Sequence, residues 1–99
     1  MTLPTLDVVL ATLRAHEPEL RAMHVQSLHV FGSVARGDAH ENSDVDLLVE
    51  FDRGVGLFHL AGVHLLLEDM LGRKVDLVMR AALVPAFRDD VLREAVRAA

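Results

Sequence analysis

The sequence contains no cysteine, no tryptophan, no tyrosine and no isoleucine. Without cysteine there is neither a disulfide framework nor a thiolate metal site, and thiol catalysis is excluded. Without tyrosine, self-modification on a phenol is excluded as well. No apolar run reaches the ~18 residues a membrane span needs, and Met1 is not followed by a signal peptide's basic and apolar stretches. A soluble, cytoplasmic protein with no membrane contact is therefore expected. Positive charge is short too. Nine arginines and a single lysine, Lys74, face 15 acidic residues, for a net charge of −5. That balance argues against a sequence-independent grip on nucleic acid, which needs a basic surface.

What remains is rich in leucine, valine and alanine, and 99 residues allow one domain, 1–99. Leu6, Val9, Leu10 and Leu13 recur at helical spacing, predicting a helix over 4–16 with Pro4 in its first turn. Pro18 breaks that helix and opens a short second one through Leu20 and Met23. Leu28 to Phe31 reads as a strand, 32–37 as a glycine-bounded helical turn, and Asp38 to Ser43 as loop. Asp44 to Phe51 alternates, with Val45, Leu47, Val49 and Phe51 opposite Asp44, Asp46, Leu48 and Glu50. Leu57 to Leu71 is a long apolar helix closed by Gly72, and Lys74 to Met79 alternates again. Pro85 starts a last helix whose apolar stripe is Phe87, Val91, Leu92, Ala95 and Val96. The order predicts a small α/β sandwich; a parallel crossover and a mixed sheet are both open.

Three signals carry chemistry. Asp44 and Asp46, two apart at a strand start, share one face with Cα atoms ~7 Å apart, as divalent-ion ligands or as the wet face of an amphipathic strand. Asp76 occupies the polar face of another strand, where it either pairs with Lys74 or Arg80 or joins the first two. Three carboxylates together repel unless protons or a cation neutralise them, and at neutral pH a cation is the simpler answer. Magnesium, a hard cation usually held by one or two carboxylates plus substrate phosphates, fits such a set. Gly32-Ser33 directly follows a strand; glycine admits close backbone approach, so free amides and the Ser33 hydroxyl can hold a phosphate, or simply cap a short helix. Arg36 could reach a phosphate or stay solvated, and Lys74 could touch a phosphate or pair with Asp76. The six histidines lack the i,i+3 or i,i+4 spacing of a helical zinc site and read as structural or exposed, with His29 the one placed near the glycine turn.

Gly32-Ser33, ten residues, Asp44-Val45-Asp46 and a third aspartate on a later strand together resemble the nucleotidyltransferase superfamily of DNA polymerase beta, and within it the minimal nucleotidyltransferases. Phe31 to Gly37 and Ser43 to Val49, with Glu50-Phe51 trailing, carry the likeness. The resemblance implies a small mixed β-sheet flanked by helices, the palm-like nucleotidyltransferase fold. It implies Gly32 and Ser33 on the nucleotide phosphates, with Arg36 and Lys74 as further candidates there. Asp44, Asp46 and Asp76 would be both catalytic residues and ligands of two Mg2+ ions, with ATP as substrate and Asp76 assisting deprotonation of the acceptor hydroxyl.

The minimal family further resembles antitoxins whose partner is a small helical HEPN-type toxin, silenced by adenylylation. The chain's own hydroxyls, on Thr2, Thr5, Thr12, Ser27, Ser33 and Ser43, lie at the expected site, at element boundaries or on the first helix, and none resembles a flexible acceptor. No segment after Asp76 looks able to grip a sugar or a primer, so a second protein is the expected acceptor. Two other functions stay open: a module that neutralises its partner by docking alone, and a small-molecule nucleotidyltransferase. A homo- or hetero-oligomer is compatible with the 57–71 helix, whose apolar residues wrap more than one face and are covered either by a partner or by the domain itself.

Overall fold

The structure, a computed structural model, describes residues 3–99. Thr5 caps helix α1, Leu6–Ala15, by accepting from the Val8 amide at 3.4 Å, so Pro4 precedes the cap instead of lying in the first turn. Helix α2, Glu17–Ala22, carries Pro18 in its first turn, where the missing N–H costs nothing. Strand β1, Val25–Phe31, runs into the short helix α3, Gly32–Arg36, and strand β2 is Val45–Phe51. Helix α4, Leu57–Leu71, strand β3, Val75–Met79, helix α5, Pro85–Glu94, and strand β4, Val96–Arg97, complete the chain, with a 3-10 turn at Arg80–Ala82.

The sheet is mixed, in the order β3-β2-β1-β4. β2 and β3 are parallel, joined by α4 as a crossover, whereas β1 runs antiparallel to both β2 and β4. Leu28 and Val30 of β1, Val45, Leu47 and Val49 of β2, and Val75 of β3 form the buried face, closed by Val9, Leu10 and Leu13 of α1 and Val63 and Leu67 of α4. The opposite face carries Phe31 across from Asp46, His29 across from Leu48, and Asp46 beside Asp76.

Several boundaries differ from the sequence reading. β1 begins at Val25, three residues before the expected Leu28, and its register shifts between Val25 and Ser27, an irregularity that hides the strand's alternation. The ladder takes up β2 at Val45 and β3 at Val75, leaving Asp44 and Lys74 just before their strands. The last helix stops at Glu94; Ala95 is extended, and Val96 belongs to β4, not to a helical stripe. The outer edge of β1 would otherwise be unpaired, and the chain's last residues fill it: the Ala98 amide donates to the Leu28 carbonyl at 2.7 Å and the Leu28 amide to the Ala99 carbonyl at 3.1 Å. α4 is not wholly covered by its own domain, since Leu57, Phe58 and Leu65 are 80%, 95% and 66% exposed.

Candidate active site

The site begins where β1 ends. Gly32 takes φ +72, a left-handed conformation that a side chain resists, and turns the chain into α3. A Cβ there would lie 2.1 Å from Oδ2 of Asp46, so glycine is demanded both by the turn and by the carboxylate seated on it. Gly37, at φ +80, ends α3 in a left-handed cap, and its amide donates to the Val34 carbonyl. The loop that follows is tied by Arg73, whose Nη1 donates to the carbonyls of Glu41, at 2.9 Å, and Ser43, at 3.4 Å, while the Ser43 hydroxyl accepts from the His40 amide. The Val45 amide donates to the Lys74 carbonyl at 3.0 Å, and the Val75 amide to Glu68 of α4, also at 3.0 Å. These bonds fix the starts of β2 and β3 side by side, so Asp46 and Asp76 face each other across the parallel pair.

All seven expected site residues lie at this end of the sheet, on or beside the β1–α3 turn and the starts of β2 and β3. Asp46 is half-buried, and Asp44 and Asp76 are exposed. Among the described residues none of the three carboxylates has a hydrogen bond or an ion pair. The alternative pairing of Asp76 with Lys74 or Arg80 is therefore not what forms; Arg80 pairs with Glu50 at 3.2 Å. Burial, then the charges of Asp76 and Asp44, push the Asp46 carboxyl up to about 6. Asp44 and Asp76 are close enough to Asp46 to repel it, and the charge of Arg36, which is tied to Asp38 and Glu94, offsets this only in part. Among the described residues, though, no three carboxylates or imidazoles already converge as a cage for a metal ion. Hard oxygen donors left open in this way suit magnesium, which draws much of its coordination from substrate phosphates and water.

The phosphate side is also open in part. The Ser33 hydroxyl has no hydrogen bond among the described residues. Lys74, with Asp44, lines a hollow of about 340 Å³ beside the 38–43 loop and has no ion pair among the described residues. Arg36 is not simply solvated. It pairs with Asp38 at 3.3 Å and with both carboxylate oxygens of Glu94 at 3.2 Å, which raises its pKa further. Glu94 is the residue that sequence reasoning missed. It lies 62 positions from Gly32, on a helix whose other acidic residues, Asp89 and Asp90, are exposed, and nothing local marks it out.

The remaining candidates take structural roles. His59 bonds the Met23 carbonyl and His64 the Val75 carbonyl, each at 2.6 Å. His29 is half-buried on β1, its pKa lowered by burial and then by Arg97, which favours a neutral ring. Four of the hydroxyls are already engaged: Thr5 as a cap, Thr12 on the Val8 carbonyl, Ser27 on Glu50 and Ser43 in its turn. Ser27 is buried inside β1 and not at an element boundary. Thr2 lies outside the described residues. A second hollow, of about 400 Å³, lies at the far end of β2 between Glu50, Arg53, Arg80 and Arg88, and holds none of the expected site residues.

With this geometry in place, comparison with known proteins is informative. The pattern of a family described as nucleotidyltransferase domain matches residues 13–98. The protein adenylyltransferase MntA of Thermococcus cleftensis is 42% identical over 97 residues, covering 97% of this chain and 98% of its own. A solved structure inferred to be a minimal nucleotidyltransferase superposes with a TM-score of 0.80 at 42% identity, covering 93% of this chain and 94% of that one. The complex of a tri-AMPylated Shewanella oneidensis HEPN toxin with an MNT antitoxin holds a chain that superposes with a TM-score of 0.65 at 17% identity, covering 91% of this chain and 71% of that one. At that identity the likeness concerns the fold alone.

Proposed function

This chain belongs to the nucleotidyltransferase domain family, and from that premise we propose that it transfers AMP from ATP to a hydroxyl of a partner protein, a small helical HEPN-type toxin, and so acts as that toxin's antitoxin. The observation that carries the reading is the seating of Asp46. Its carboxylate rests on the Gly32 turn on one side and faces Asp76 on the other. Acidic groups that gather beside the glycine turn, offset only in part by Arg36, are arranged for a phosphate that arrives with its own metal.

In this reading Gly32 and Ser33 hold the triphosphate through the backbone and the uncommitted hydroxyl, and Arg36 and Lys74 balance its charge. Asp44, Asp46 and Asp76 would hold magnesium, which supplies neutralisation of charge on the reacting phosphate. Asp76, exposed on the edge strand β3, takes the proton of the acceptor hydroxyl. The acceptor oxygen bonds to the α-phosphorus, the bond to the β-phosphate oxygen breaks, and pyrophosphate leaves. Such in-line transfer depends on position and electrostatics more than on covalent help from the protein. Exposed Leu57, Phe58 and Leu65 of α4 offer apolar surface on which a partner can rest. Residues 1–99 serve as one minimal domain, and the work is placed in the cytoplasm, where ATP is plentiful. No helix among the described residues is long and apolar enough to cross a membrane.

Calorimetric titration with ATP tests the nucleotide half of the proposal. Binding is expected with magnesium present and strongly weakened in EDTA, because the three aspartates then face the triphosphate without a cation between them. Absence of binding in both conditions, with the partner present, overturns it.

A further inference from the structure

We infer that Glu94 is a positioning residue of the nucleotide site, a built-in carboxylate that holds the Gly32 amide and the Arg36 guanidinium until a nucleotide phosphate takes them over. The inference rests on the nucleotide-binding role proposed above for the Gly32 turn. The Gly32 amide donates to Oε1 of Glu94 at 3.1 Å. Nη1 of Arg36 donates to Oε1 and Oε2 of the same carboxylate, each at 3.2 Å. A backbone amide and a guanidinium converging on one group make a receptor for an anion, and an anion from the far end of the chain already occupies it. A carboxylate and a terminal phosphate both offer these donors a pair of negatively charged acceptor oxygens, and the phosphate carries the larger charge.

Glu94 is placed so that this exchange needs no unfolding. It is the last residue of α5; the backbone beyond it is fixed by the Ala95 amide on the Val91 carbonyl and by β4 on β1. Its side chain is 30% exposed, so the carboxylate can swing toward solvent while the backbone stays put. While in place it adds a further negative charge near Asp46. An incoming triphosphate therefore meets competition and repulsion together. A ligand without phosphates gains nothing by displacing Glu94, and one with a full triphosphate gains the most. The device lowers affinity for a nucleoside triphosphate and leaves that for a nucleoside untouched, and the returning carboxylate helps pyrophosphate to leave.

The test is titration of the full chain with magnesium-ATP, inorganic tripolyphosphate and adenosine, in the natural protein and in Glu94→Gln and Glu94→Asp. Glutamine removes the charge; aspartate keeps it on a shorter arm and guards against a glutamine variant that does not fold. Both variants are expected to bind ATP and tripolyphosphate roughly three- to tenfold more tightly, the scale of a half-exposed ion pair, with adenosine binding unchanged. Equal or weaker ATP binding in folded variants overturns the role of Glu94 and leaves the nucleotide site standing. Failure of the natural protein and both variants to bind ATP overturns the nucleotide site, and this inference with it.

Discussion

Replacement of Asp46 by asparagine is expected to cut transfer by about a thousandfold, the order seen when a group that stabilises transition-state charge is removed, and at the same time to make the metal-free protein more stable. The two effects share one cause. In the folded protein burial and the charges of Asp76 and Asp44 hold the Asp46 carboxyl at about 6, whereas in the unfolded chain it titrates near the ordinary value of about 3.9. Above pH 6 the group is ionised in both states, and the folded state carries the cost of that charge. Below about pH 3 it is protonated in both and the cost is gone. A shift of this size corresponds to roughly 3 kcal/mol in full, and solvent around a half-buried group reduces it to about 1–1.5 kcal/mol. Asp46→Asn should therefore raise the melting temperature by about 4–8 °C at pH 8 in EDTA, by less at pH 5, and not at all at about pH 3. Thermal melts across that range, beside transfer assays, check it. A large loss of melting temperature at pH 8 would mean that Asp46 holds the fold together. Ser33→Ala should be much milder, because the backbone amides remain.

The second large effect is expected at Gly32, with Gly37 as its control. Both glycines are left-handed, at φ +72 and +80. Alanine at either position carries the left-handed penalty of about 1–2 kcal/mol. At Gly37 a Cβ meets nothing within 4 Å, but at Gly32 it meets the Asp46 carboxylate at 2.1 Å. Gly32→Ala must push Asp46 aside, and transfer should fall by about a hundredfold or more for a displacement on the order of 1 Å. Gly37→Ala should melt at a similarly lowered temperature yet keep most of its activity. Parallel melts and initial rates decide the matter. Similar activity losses in the two variants would mean that strain in the turn, and not the seat of Asp46, governs the site.

The sequence was most readable where the signal is local. Gly32-Ser33 and Asp44-Val45-Asp46 follow from residues adjacent in sequence, and the fold places them as expected; the order β2–α4–β3 is legible in the same way, but only the strand pairing makes it a parallel crossover. Alternation assigned Asp46 and Asp76 to polar faces, but only the parallel register shows them as direct neighbours. Leu48 shows the limit of alternation: it shares a face with Asp46 and Glu50, yet is 2% exposed, because that face is partly covered by the rest of the chain. β4 was unreadable, since two residues have no periodicity and Val96 suits a helical stripe equally well; the unpaired edge of β1 decides its state. Glu94 was unreadable for the same reason. Its partners Gly32 and Arg36 are 62 and 58 positions away, and only the packing of α5 beside α3 brings them together.

The account stands most directly on where the label goes. The chain has no tyrosine, and among the described residues only Ser33, inside the site itself, has an uncommitted hydroxyl. The decisive measurement is intact-protein mass spectrometry after incubation with ATP and magnesium, first of this chain alone and then with a small helical HEPN-type toxin, the proposed partner. The account predicts no change on this chain and a gain of one AMP or a multiple of it on the partner, lost in Asp46→Asn. A gain of AMP on this chain alone, with none on the partner, would contradict it.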